Sequence, residues 1–68
     1  MIITKEYLPE KGVVVITVEN PPLATTKHTI MAQALADGKV DLNQEIVKLT
    51  EKANEQLRVH NAMMNLIQ

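Results

Sequence analysis

The sequence predicts an α+β fold, a β-hairpin followed by an antiparallel helix pair with a long C-terminal helix, in a single domain over residues 1–68. Three observations carry that expectation. Val13-Val14-Val15-Ile16-Thr17-Val18 is almost wholly β-branched, the composition of a strand. Pro9-Glu10-Lys11-Gly12 stands before it as a turn, with proline fixing φ early and glycine free to take a positive φ at the end. Leu42, Ile46, Leu49, Ala53, Leu57, His60, Met64 and Ile67 recur at steps of four and three. At about 100° per residue they fall in an arc roughly 80° wide, the pattern of a helix packed along one side.

The remaining elements follow in chain order. Residues 2–8, Ile-Ile-Thr-Lys-Glu-Tyr-Leu, read as the first strand, giving a hairpin over 2–19. The second strand is apolar on both faces. Val13, Val15 and Thr17 point one way, and Val14, Ile16 and Val18 the other. A strand of that kind is normally covered on both faces, and so short a chain covers only one well. The other face, or the free edge of the strand, is expected to meet a second copy or a target protein. Asn20-Pro21-Pro22 ends the strand, because proline cannot join a ladder. A first helix is expected over 25–37, N-capped by Thr25 or Thr26, with His28, Met31 and Leu35 as its stripe and Ile30 away from it. Gly38 suits the left-handed position past a helix end, and Lys39-Val40 is a short link. Asp41 caps the second helix, 41–67, with Gln44 as capping-box partner.

The far end of that second helix has no helix of equal length to lie on. Val59, Ala62, Met63 and Leu66 nevertheless add a second apolar stripe there. Either the hairpin folds over this end or another molecule does. Opposite charges at Glu45–Lys48, Lys48–Glu51, Lys52–Glu55 and Glu55–Arg58 mark the solvated face.

Composition narrows the function classes. The chain has 68 residues, and one this small buries only about 60% of its unfolded surface, so a partner subunit is a natural source of stability. Cysteine is absent, which excludes disulfides, thiolate metal sites and thiol nucleophiles. The net charge of −1 offers no basic surplus for phosphates and argues against a nucleic-acid partner. Tyr7 is the only aromatic residue, too little for a stacking platform. No apolar run approaches the length of a membrane span, and Met1-Ile2-Ile3-Thr4-Lys5-Glu6 lacks the basic start of a signal peptide, so a cytoplasmic protein is expected.

Short motifs give three resemblances. Gly12 to Pro22 resembles the opening strand of enoyl-CoA hydratase-type proteins, but it contains none of that family's acyl-CoA or oxyanion elements. Asp37-Gly38-Lys39-Val40-Asp41 resembles half of an EF-hand loop. Gln33, Leu35 and Gln44 occupy positions where that loop needs oxygen ligands, so no calcium is expected. His28 and His60 lack a neighbouring ligand cluster, so no zinc and no cofactor is expected either. Finally, the order of one strand and two helices over residues 13–57 resembles ribbon-helix-helix DNA-binding proteins in topology. Those proteins read DNA with polar residues of a paired strand, where this chain has Val, Ile and one Thr.

Together these features suggest a small non-enzymatic protein-protein interaction module. It would be a homodimeric regulator or inhibitor acting on a target protein, in the size class of regulators carried by phages and other mobile elements. Its expected contact residues are Val14, Ile16, Val18, Val59, Ala62, Met63 and Leu66. A dimeric DNA-binding regulator of ribbon-helix-helix-like topology is the alternative.

Overall fold

A computed structural model describes residues 1–67. The chain is α+β. Its strands are β1 (Ile2–Leu8), β2 (Val13–Glu19) and β3 (Thr26–Met31), followed by α1 (Ala32–Ala36) and α2 (Leu42–Ile67). The strands form one antiparallel meander in the order β1-β2-β3.

The hairpin forms as its turn residues dictate. Lys11 N–H donates to Leu8 O at 3.1 Å and Gly12 N–H to Pro9 O at 3.3 Å, with Gly12 at φ 64°. A side chain there would meet the left-handed penalty, which glycine avoids. The register sets Val18 opposite Ile3, Ile16 opposite Lys5 and Val14 opposite Tyr7.

The expected helix over 25–37 is corrected to a strand and a single helical turn. Thr26, Thr29 and Ile30 are β-branched, and the segment alternates Thr26, His28, Ile30 on one face with Lys27, Thr29, Met31 on the other. Pairing it with β2 satisfies the backbone groups along that strand's second edge, which would otherwise need another partner. Neither Thr25 nor Thr26 caps a helix. The N-cap position of α1 is Met31, with no side-chain cap. Ile30 packs against the core instead of lying exposed. The α1 turn packs on β3 and β2, so the expected antiparallel pairing of a helix over 25–37 with the long C-terminal helix is absent among the described residues. A ribbon-helix-helix protein pairs its strand with a second subunit, whereas β2 here is the centre of the sheet.

The end of α1 does follow its sequence. Gly38, at φ 74°, donates to Leu35 O at 3.2 Å, and Lys39 N–H reaches Ala34 O at 3.0 Å. This is the paired bonding of a Schellman cap. Asp41 then caps α2, its carboxylate accepting from Asn43 N–H at 2.9 Å and Gln44 N–H at 3.3 Å.

The core lies between one face of the sheet and the first half of α2. Ile16 is 0% exposed, Val18 4% and Ala53 6%, with Ile3, Ile30, Leu42, Ile46 and Leu49 packed round them. Where α2 leaves the sheet, buried Asn20 donates its amide to Ala53 O at 3.0 Å, tying the β2–β3 turn to the helix. That turn contains a cis Pro21–Pro22 peptide and closes with Leu23 N–H on Asn20 O at 3.0 Å.

Length decides what the sheet can cover. The 26 residues of α2 span about 39 Å at 1.5 Å per residue. A seven-residue strand spans about 24 Å. Helix α2 therefore outruns the sheet by about 15 Å, and the overall extents of 48 × 21 × 13 Å reflect this.

Candidate interaction surface

The overhang is the last three turns of α2. Beyond Ala53 the sheet-facing seam continues as Leu57, His60, Met64 and Ile67. Leu57 and His60 are half-buried, and every residue from 61 to 67 is exposed. Leu66 is 87% exposed, Ile67 76%, Met63 58%, Val59 49% and Met64 40%. The hairpin does not fold over this end, which corrects one of the two sequence expectations for it.

Helical arithmetic joins these side chains into one surface. At about 100° per residue, Leu57, Met64, His60, Ile67, Met63, Val59, Leu66 and Ala62 sweep more than half the circumference without a break. Asn54, Arg58, Asn61 and Asn65 fill the narrow remainder at steps of four, three and four. A surface helix of a self-contained domain carries an apolar stripe of about 100°. This segment exceeds that, and from residue 61 to 67 it is exposed throughout. Two methionines, Met63 and Met64, give the patch adaptable packing.

The charges nearby are balanced. Arg58 pairs with Glu55 at 3.1 Å, and Lys48 with Glu45 at 3.6 Å. Among the described residues these are the ion pairs, two of the four expected from spacing. Lys48, Arg58 and Glu55 are well exposed and Glu45 is half-buried beside a solvated lysine, so each pair contributes only tenths of a kcal/mol.

The structure divides the seven expected contact residues into two groups. Val59, Ala62, Met63 and Leu66 lie together on the overhang. Val14 is half-buried, and Ile16 and Val18 are buried under α2, so the chain's own helix takes the place assigned to a partner there. The reason is the meander: β3 closes the second edge of β2 and α2 covers the face of Ile16 and Val18, which leaves β2 its opposite face alone for a second molecule. Its opposite face keeps Val13, Val15 and Thr17 half-buried, flanked by exposed Thr4, Glu6, Lys27 and Thr29.

The histidines also separate. His28 belongs to β3, where its Nε2 shares a hydrogen bond with Thr26 Oγ1 at 3.1 Å, and His60 lies on the overhang. Among the described residues no three His, Asp or Glu side chains gather as a metal site. No helix is long and apolar enough to cross a membrane.

Sequence reasoning missed β3 and everything that depends on it. Beside β3, the helix-covered face of the sheet and α2 leave a cleft lined by Val18, Thr26, His28, Leu49, Lys52, Ala53 and Gln56. Three β-branched residues within Thr26–Met31 were the available signal.

Comparison with known proteins adds no relative: no family model, no curated protein and no solved structure matches the chain.

Proposed function

We propose that the protein is a non-enzymatic interaction module. Two copies pair through the last turns of α2, and the dimer acts by binding a target protein as a regulator or inhibitor. The observation that carries this reading is the apolar arc from Leu57 to Ile67, which outruns the sheet and in which Val59 and every residue from 61 to 67 are exposed. Two further features support self-pairing. The intrachain core is small, with only Ile16, Val18 and Ala53 as buried apolar residues among those described. A chain of this size gains most from a second subunit. And Arg58, the formal charge of the overhang, is already neutralised by Glu55, so a two-fold pairing of the overhangs opposes no uncompensated like charges.

A mixed-label experiment tests the contact. Asn65 lies on the polar stripe, so a spin label at Asn65→Cys leaves the apolar arc intact. Labelled copies mixed with isotope-labelled wild-type protein are expected to broaden the amide signals of residues 57–67 on the unlabelled copies. Broadening at β1 to β3 alone, or at no site, contradicts the pairing.

A further inference from the structure

We infer that the outer edge of β3, with the flank of α2 beside it, receives an extended acidic segment of a partner protein as a fourth strand. This rests on the reading of the protein as an interaction module and supplies the chemistry of its target.

The meander β1-β2-β3 leaves the outer edges of β1 and β3 unpaired among the described residues. Along an edge, alternate residues direct N–H and C=O outward, and an added strand satisfies them. The two edges differ in charge. β1 carries Lys5 and Glu6 side by side, whereas β3, Thr-Lys-His-Thr-Ile-Met, holds Lys27 and His28 and no acid.

The helix beside β3 extends the same bias. Residues 45, 49, 52 and 56 step along one flank of α2 at intervals of four, three and four. Its lower part meets Thr26 and His28 across a cleft of about 50 Å³, into which Leu49, Lys52 and Gln56 also face. Among the described residues no carboxylate lines the cleft. Glu45, the acid on this flank, lies nearer the start of α2 and is held by Lys48 at 3.6 Å.

Size and alternation then select the occupant. A pocket for a drug-sized molecule needs roughly 300 Å³ or more. The cleft instead fits the end of one side chain. Successive side chains of an added strand point to opposite faces. Those on the helix side reach Lys52 and Gln56, and those on the open side reach exposed Lys27. Neither lysine is in an ion pair among the described residues. Carboxylates on both faces of the incoming strand thus find a cation, while its backbone pairs with β3.

A labelled short peptide repeating Glu-Glu-Val-Val, which carries carboxylates on both faces of a strand, is the probe, read by anisotropy and by amide shifts on the full chain. Saturable binding is expected, with shifts at Thr26–Met31 and at Lys52 and Gln56. The double variant Lys27→Glu, Lys52→Glu, checked for an unchanged circular dichroism spectrum, is expected to weaken it about tenfold or more. The same peptide N-methylated at every residue keeps its charge, loses its backbone donors on both edges and is expected not to bind. Equal binding of a Lys–Val peptide, undiminished binding of the N-methylated peptide, shifts confined to β1 or to the end of α2, or no binding at millimolar peptide each overturn the inference. So do β3 shifts that grow with protein concentration alone, since they assign the edge to a second copy. If the spin-label contact at residues 57–67 is present and the peptide fails, only the β3 inference falls. If both fail, the interaction reading falls with it.

Discussion

Ile16→Ala is expected to unfold most of the molecule at physiological temperature. Among the described residues Ile16 is the one fully buried large side chain, at the point where β2 meets α2. Truncating a buried Ile costs about 2–5 kcal/mol, lost transfer energy and cavity together. A domain of this length has a total stability of about 3–10 kcal/mol. One substitution therefore removes a large fraction of it. For a small domain each kcal/mol shifts the melting temperature by roughly 4–8 °C, so a drop of about 10 °C or more is expected in circular dichroism. Val15→Ala, one residue away on the half-buried opposite face, is the control and is expected to cost about 1 kcal/mol. Equal losses at the two positions would mean that α2 does not define the buried face.

Leu66→Glu is expected to do the opposite: it leaves the fold and removes the association. Leu66 is 87% exposed and lies beyond the end of the sheet, so no intrachain packing depends on it. In a helix-to-helix contact the same side chain is enclosed, and a carboxylate in its place costs several kcal/mol. About 3 kcal/mol already raises a dissociation constant more than a hundredfold. The expected result is an unchanged melting profile at low concentration together with loss of the dimer. Unfolding of the variant would show that the overhang belongs to the subunit core. Retention of the dimer would show that Leu66 is ordinary surface.

The two mutants also mark where the sequence was readable. The hairpin was legible because its parts agree: β-branched residues from Val13 to Val18, and a glycine placed where φ is positive. Helix α2 was legible because one spacing runs unbroken from Leu42 to Ile67 and Asp41 supplies a cap. The overhang was legible for a related reason. Val59, Met63 and Leu66 break a one-sided pattern just where the chain has nothing left to cover them. β3 was not legible. His28, Met31 and Leu35 fit a helical stripe by chance, and a true helical turn of alanines begins at Ala32 with no glycine or proline between it and the strand. The genuine helix signal was extended backwards over six strand residues. That one error hid the third strand. It also left β2 with an apparently open edge and put Ile16 and Val18 at an intermolecular contact. Alternation alone could not correct this, because both faces of β2 are apolar, and which of them meets α2 is settled by the path of the chain after Gly38.

Pairing of two copies through the overhang of α2 is tested most directly by the native mass of the unmodified protein in solution. One chain has a mass of 7.6 kDa. Light scattering across a micromolar concentration series is expected to give about twice that value, falling towards the single-chain mass only on dilution. A constant mass of 7.6 kDa throughout the series would contradict the account.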